Sequence, residues 1–398
     1  MFDQTNHHHN GETVDIADIK LEKNEKFQEM SAIVDGEKVW FRFPLFVELE
    51  VRAELFLPPA MIEGMVRGIP VRVVDDIAIS HRLSRGYNEI QGLLKNWNND
   101  FIACPIIAKT TKDLPSTENV ISCFSGGIDS TYTYGHFRDE ITHLLVIQGH
   151  DDWKEGAGWA KNVINRQNFA NKEGKKLITV ETNMRHYCEA RKFDYLLMFG
   201  SVLATIGVIL NPKLFLIPSS ATYSSLHPLG SHPLLDSLWQ TDNTQIIHHD
   251  CAATRVQKTA FIAQFQDLTD QLQVCWNSSS DNCGICPKCL RTSITLKVLD
   301  KKSFRLSEPE GVEHYRKLVI KENNALCYVQ EIIDLCEERD KTEIQQSLQL
   351  NVQAYTNKNS MHNVIKLLLG NFGRKIFRRY TSNPWYTLRA TLISNRVK

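Results

Sequence analysis

The chain has 398 residues, with Lys+Arg 46 against Asp+Glu 46, 42% hydrophobic and 23% charged residues. That length exceeds what one small core needs and predicts two or three domains. Zero net charge argues against a surface built throughout to hold polyanions, and the apolar fraction excludes a disordered chain.

Met1-Phe-Asp-Gln4 is polar and not followed by an apolar run, so no secretory signal is expected and the protein is read as cytoplasmic. His7, His8 and His9 read as a polar leader before a weak metal tract. From about Asp15 to Leu57 the pattern is strand-like, with short alternating runs at Lys38–Phe43 and Leu45–Val51, and Asp35-Gly36 as a hairpin signal. Leu83 to Trp97 has helical spacing at Leu83, Tyr87, Ile90, Leu93, Leu94 and Trp97. The stretch Thr110 to Asn119 reads as a linker.

Beyond it, apolar runs of strand length (Val120–Phe124, Leu144–Gln148, Leu177–Val180, Leu214–Pro218, Ile246–His249) alternate with helical stretches (Ser130–Arg138, Trp153–Asn171, Tyr195–Leu210, Arg255–Leu272). This alternation predicts an α/β fold with a parallel sheet covered by helices on both faces. Tyr195–Leu210 is shorter than the roughly 18 to 20 apolar residues of a bilayer span, so it reads as a buried helix and no membrane association is expected. From Glu308 onward helical patterns continue without strands. After Glu343 no acidic residue occurs, while Lys358, Lys366, Arg374, Lys375, Arg378, Arg379, Arg389, Arg396 and Lys398 are basic. The closing region is therefore either the solvated face of a capping helix or a docking patch for RNA or an acidic partner. The expected division is a β-rich amino-terminal module at 1–115, an α/β domain at 116–300 and a helical, basic region at 301–398.

The sharpest motif is Ser125-Gly126-Gly127-Ile128-Asp129-Ser130, placed after an apolar run and at the start of a helical one. A strand, a glycine turn and a helix start gather free backbone N–H groups and the positive end of a helix dipole, which suits phosphate. Gly126 and Gly127 let backbone approach the anion, and the hydroxyls of Ser125 and Ser130 add donors. No Walker sequence and no dinucleotide fingerprint occurs.

The hexapeptide resembles the SGGxDS loop of the PP-loop superfamily, the N-type ATP pyrophosphatases. The resemblance implies a Rossmann-like core, cleavage of ATP between its α- and β-phosphates, adenylation of a substrate oxygen and departure of pyrophosphate from the loop. On that reading Ser125, Gly126, Gly127 and Ser130 hold pyrophosphate, and Asp129 orients the loop or a Mg²⁺.

Cys283-Gly-Ile-Cys286-Pro-Lys-Cys289, with Cys275 upstream, offers four soft ligands suited to tetrahedral Zn²⁺; an iron–sulfur cluster or a redox thiol pair also fits the spacing. Cys104, Cys123, Cys188, Cys251, Cys327 and Cys336 read as core fillers. The glycine loop followed by this cysteine pattern resembles the 7-cyano-7-deazaguanine synthase family over roughly Val120 to Leu299. That resemblance implies a structural zinc and ATP activation of 7-carboxy-7-deazaguanine, whose acyl group passes to nitrogen as amide and then nitrile. It covers neither the β-rich front nor the basic end.

The segments Pro218–Ser225 and Gly230–Asp236 follow a strand's carboxyl end, where open α/β sheets bind ligands. Ser219, Ser220, Tyr223, His232 and Asp236 are candidates for a guanine-like base, with Asp236 accepting from ring N–H groups and Tyr223 or His232 stacking; a hydrophilic loop turning at Pro233 is the plainer alternative. Arg255 and Lys258, at a helix start resembling the family's Lys-bearing one, are the cationic candidates for phosphate charge and, with Asp129, for catalysis. Lys288 and Arg291 are weaker candidates.

The leading expectation is thus an AMP- and pyrophosphate-forming C–N ligase whose acceptor is ammonia or a partner protein's amine. The added front module and basic tail favour a macromolecular acceptor, and relatives with such additions make an anti-phage defence setting an open alternative to queuosine-type biosynthesis. Two other functions remain open: a tRNA-modifying PP-loop enzyme of thiolating or lysidine-forming type, and a zinc-stabilised nucleotide-binding scaffold without turnover. The expected partners are a 7-deazaguanine-type small molecule and a protein bound through the front module; nucleic acid is less favoured, and a homodimer is open.

Overall fold

The computed structural model describes residues 12–113, 115–148, 157–275, 277, 281–321 and 323–358. It divides into two compact units, Met1–Pro309 and Glu310–Lys398. The expected boundary at 115/116 therefore separates no compact units. The histidines at 7–9, the start of the helix expected from Trp153 and the basic residues from Lys366 onward lie outside the described residues.

The strands run β1 (Val14–Lys23), β2 (Gln28–Val34), β3 (Glu37–Phe43), β4 (Val71–Val73), β5 (Ile79–Ser80), β6 (Ile106–Ile107), β7 (Thr110–Thr111), β8 (Thr117–Cys123), β9 (His143–Gln148), β10 (Lys176–Thr182), β11 (Pro212–Pro218) and β12 (Gln245–His249). β5 and β7 form a small parallel pair. All the others join one 10-stranded sheet in the order β12-β11-β8-β9-β10-β3-β2-β1-β4-β6. From β12 to β10 every pairing is parallel. These strands read as unbroken apolar runs, such as Leu144-Leu-Val-Ile147, because parallel strands are buried on both faces. The order reverses at β8: β9 and β10 follow on one side, β11 and β12 on the other, and the crevice beyond the carboxyl ends of β8 and β11 is where open α/β sheets take ligands.

β3 attaches antiparallel to β10, pairing Arg42 with Glu181 and Phe41 with Thr182. The amino-terminal strands are thus an extension of the same sheet, and one apolar core runs through Phe41, Phe43, Phe56, Ile121, Val180, Leu203 and Phe215. The β2–β3 hairpin closes on Asp35 and Gly36, both at positive φ, as its twist requires. Leu45–Val51 forms no strand. The carbonyls of Val47 in it and of Pro44 just before it accept from the buried Gln28 side-chain amide, at 2.5 and 2.9 Å.

Two expected helices are broken. Tyr195–Leu210 is a single turn of tight helix, Tyr195–Leu197, and a separate buried helix, Phe199–Leu210, with Met198 between them at φ −129°. Arg255–Leu272 divides into Arg255–Ile262 and Gln266–Thr269. No helix among the described residues is long and apolar enough to cross a membrane. In the second unit the helices Gly311–Arg316 and Asn323–Glu338 precede helical residues 342–358. Val329, Ile332, Ile333, Cys336, Ile344 and Leu348 are buried there.

Candidate functional site

The glycine turn lies at the carboxyl end of β8, at the point where the strand order reverses. Phe124 N–H donates to Leu145 O at 2.8 Å, keeping the chain against β9 as it leaves the sheet. Gly126 then takes φ +78°, Gly127 is extended, and the helix Ile128–His136 begins. Its first ladder bond runs from Thr131 N–H to Gly127 O (3.0 Å). The N–H groups of Ile128, Asp129 and Ser130 precede that bond and face outward from the helix start, as at any helix amino terminus.

The hydroxyls expected to serve as donors instead brace the turn. Ser130 Oγ accepts from Gly126 N–H at 3.0 Å and donates to Gly127 O at 3.2 Å, with Ser125 Oγ 3.3 Å away. Gly126 also has a role that the sequence did not reveal. A Cβ at this position would lie 2.1 Å from Cζ of Arg166, so the guanidinium occupies the space a side chain would need.

Arg166, on the helix Ala157–Lys172, is fully buried. It donates to Gln271 O at 3.0 Å and to Asn162 Oδ1 at 3.3 Å, lies over the Phe124 ring, and leaves Nη2 without a hydrogen-bond partner among the described residues. Burial, with Arg305 adding repulsion, pushes its pKa down to about 9. Among the described residues this buried guanidinium has no carboxylate partner, an arrangement that is costly and calls for an anion nearby. Asp129 Oδ1 and Thr131 Oγ1, on the first turn of the adjoining helix, are likewise buried without hydrogen-bond partners. Unsatisfied buried polar atoms are rare in folded proteins, and their concentration at this turn marks it as a place for a polar ligand.

The predicted cations converge here. The helix Arg255–Ile262 starts from a capping box of Thr254 and Gln257. It places Arg255 Nη2 3.0 Å from Asp129 Oδ2, and Lys258 Nζ 3.7 Å from Asp129 Oδ1. Lys258 is buried and donates to Ser219 O at 2.8 Å. Burial first, and then Arg255, lowers its pKa, while Asp129 acts in the opposite sense.

The expected base-binding residues are placed differently. Asp236 is fully buried and accepts from Ser231 Oγ (2.8 Å) and His232 N–H (3.2 Å), with His248 Nδ1 2.7 Å away. Its acceptor capacity is spent inside the protein, leaving little for a base edge. His232 is buried, caps the short helix Pro233–Asp236 by accepting from Leu234 N–H, and meets Trp97 edge to face. It is not free to stack on a ligand. Tyr223 is 68% exposed, and Ser220 O accepts from Arg255 Nη2 at 3.4 Å. Ser219 Oγ donates to Ala221 O (2.7 Å) and lies 3.2 Å from Cys251 Sγ.

Cys251 was expected to be a core filler; it is buried, with its Sγ 3.2 Å from Ser219 Oγ, and His248, three residues earlier in the chain, is held by Asp236. Burial opposes the imidazolium of His248, but the Asp236 carboxylate 2.7 Å from its Nδ1 carries the pKa up to about 9. Cys104, Cys188 and Cys336 are buried as expected, whereas Cys327 is exposed. No local motif signals Arg166, His248 or Cys251.

The sulfurs of Cys275, Cys283, Cys286 and Cys289 lie within 4.8 Å of one another. Backbone N–H groups point at them: Cys286 N to Cys283 Sγ at 3.3 Å, and Cys289 N to Cys286 Sγ at 3.5 Å. Four thiolates around one Zn²⁺ sit about 3.8 Å apart, given a Zn–S bond of about 2.3 Å. The cluster could therefore hold one tetrahedral ion such as Zn²⁺, while a multi-iron cluster would spread its ligands wider. Lys288 and Arg291 belong to the helix Pro287–Val298, which Cys286 caps. Comparison of the chain with family models, curated proteins and solved structures returned no match.

Proposed function

We propose that this protein is a PP-loop ATP pyrophosphatase with a Rossmann-like core, of the 7-cyano-7-deazaguanine synthase type. It adenylates a carboxylate, releases pyrophosphate and passes the acyl group to nitrogen. The observation that carries this reading is the convergence at the turn: outward N–H groups at a helix start, the cations Arg255 and Lys258 beside Asp129, and buried atoms of Asp129, Thr131 and Arg166 that make no hydrogen bond among the described residues.

In this mechanism the helix start and the two cations receive the negative charge that builds on the β- and γ-phosphates as the α–β bond breaks. Asp129 fixes Arg255 and Lys258 in place. Its Oδ1, free of hydrogen bonds, offers the single carboxylate oxygen that a Mg²⁺ bound mainly by phosphate and water takes, and that ion would supply further charge neutralisation. The Cys275/Cys283/Cys286/Cys289 cluster is far simpler to read as structural, since all four ligand positions of an ion would be filled by protein.

The amino-terminal strands complete the sheet, so their presence is accounted for by folding and gives no separate support for a protein acceptor. Ammonia and a protein amine both fit as acceptors. The test is ATP–pyrophosphate exchange dependent on 7-carboxy-7-deazaguanine in the zinc-loaded protein. Exchange with AMP as the nucleotide product is expected; no AMP and no pyrophosphate with this carboxylate overturns the reading.

A further inference from the structure

We propose that Arg166 adapts the glycine turn to a multiply charged phosphate: its guanidinium, clamped against Gly126 and without a carboxylate among the described residues, supplies positive charge that a diphosphate neutralises. Arg166 is thereby a positioning residue for the adenylation proposed above, on which this assignment rests, and it is one that the glycine motif does not contain.

Two segments fix the side chain. The helix Ala157–Lys172 carries it, and Asn162 Oδ1, one turn earlier, accepts from Nε at 3.3 Å. Gln271 O accepts from Nη1 at 3.0 Å, and two residues further on Gln273 N–H donates to Gly126 O at 2.8 Å. Arg305 Nη2 donates to Gln273 Oε1 at 3.2 Å and so holds that stretch of chain against the turn. A Cβ on Gly126 would lie 2.1, 2.2 and 2.3 Å from Cζ, Nη1 and Nη2, so the guanidinium meets the glycine face-on. Its charge therefore sits one residue's thickness behind the turn. The Phe124 ring is 5.6 Å away and the side chain is fully buried, so little water screens that charge.

Elsewhere the fold pairs its inward arginines with carboxylates. Arg52 is 2.6 Å from Glu54 and 3.5 Å from Asp113, Arg138 is 2.7 Å from Glu173, and Arg191 is 2.8 Å from Asp35 and 3.4 Å from Glu63. Arg166 is buried more deeply than these, and its Nη2 makes no hydrogen bond among the described residues. An unpaired buried charge costs stability, and such a group is explained where a ligand completes it. The charges at the turn agree. Arg255 and Lys258 share the carboxylate of Asp129, which leaves one positive charge in excess. Arg166 adds a second, so the turn suits an anion of two or more charges better than a lone carboxylate.

Packing alone would not require the charge, because a methionine fills similar space beside an aromatic ring. The experiment therefore compares the full-length zinc-loaded wild type with Arg166→Met and Arg166→Lys, titrated in a calorimeter with pyrophosphate in the presence of Mg²⁺ and, separately, with AMP. Arg166→Met should bind pyrophosphate about 30-fold more weakly than wild type, for loss of one charge held close to the phosphates. Arg166→Lys should stay within about 5-fold, because the role needs the charge more than the planar fork. AMP presents no diphosphate to the turn, so its affinity should stay within about 3-fold in both variants. Without ligand, Arg166→Met should unfold at the wild-type temperature or above it, since an apolar side chain relieves the unpaired charge. In the wild type itself, pyrophosphate should slow amide exchange across Ala157–Lys172, a reading that needs no substitution.

No binding of pyrophosphate or ATP to the wild type overturns the adenylation reading and this assignment with it. Pyrophosphate bound by Arg166→Met as tightly as by wild type, or equal losses for pyrophosphate and AMP, overturns the role of Arg166 alone. If Arg166→Met does not fold, the wild-type exchange measurement decides, and unchanged protection of the helix overturns the role.

Discussion

Gly126 and Gly127 are neighbours of identical chemistry under different constraints. Gly126 combines a positive φ with the Arg166 guanidinium resting where its Cβ would be. Gly127 has φ −72°, which any residue adopts, and a Cβ there would meet only Ser125 Oγ at 3.5 Å. Gly126→Ala should therefore cost about 2 kcal/mol or more in stability, through backbone strain and displacement of a buried charge. Gly127→Ala should cost about 1 kcal/mol or less but place a methyl group where phosphate approaches the helix start, reducing ATP–pyrophosphate exchange at least ~10-fold. Urea unfolding of both variants beside exchange rates checks the pair: equal stability losses would refute the assignment of Arg166's support to Gly126. The motif made both glycines visible in the sequence. It could not show that one of them serves an arginine 40 residues away in the chain, because nothing local to residue 166 encodes that contact.

Among the elements, the cysteine knuckle is the most self-contained. Cys286 is the N-cap of Pro287–Val298, with Pro287 in the first turn, so holding its sulfur also fixes where that helix begins. Asn282 ties the knuckle to the rest of the unit: its side-chain N–H groups donate to Leu272 O and Arg305 O, both at 2.9 Å. The purified protein is expected to contain one Zn²⁺ per chain by plasma mass spectrometry. A strong chelator, or Cys289→Ser, should remove it and lower stability by several kcal/mol, since site formation and metal binding are coupled. Unchanged thermal unfolding after complete metal removal would contradict this. The strands were legible for a related reason, because a run such as Leu144–Ile147 has no amphipathic alternative that would satisfy it elsewhere. Leu45–Val51 alternates equally well and still forms no strand. One edge of β3 pairs with β2 and the other with β10, so no free strand edge is left there, and Gln28 satisfies the carbonyl of Val47 in the segment and that of Pro44 just before it.

For the molecule as a whole, the antiparallel junction of β3 with β10 decides how much chain the site requires. Residues 116–300 carry the glycine turn, the cationic helix and the knuckle, and by sequence they look like a domain. Expressed alone, this fragment should be insoluble or protease-sensitive, because it would expose the free edge of β10 and the apolar surface that Phe41, Phe43 and Phe56 cover. A fragment ending at residue 309 and retaining the amino-terminal strands should fold, with a cooperative thermal transition and limited proteolysis no faster than in the full chain. Cooperative folding of 116–300 by itself would refute the single-unit reading.

The sequence by itself determined the parallel strands, the glycine turn that starts a helix, the cations of Arg255 and Lys258 and the four-cysteine cluster. Each of these is written within a short stretch, where spacing alone brings the groups together or sets their period. Only the tertiary structure decided that the front strands belong to the same sheet, that Arg166 lies against Gly126, that Asp236 turns inward to His248, and that Ser219 meets Cys251. Those contacts join strand ends and helices distant along the chain, and pairing across such distances is set by the competition of whole faces for burial, which no local pattern of residues records.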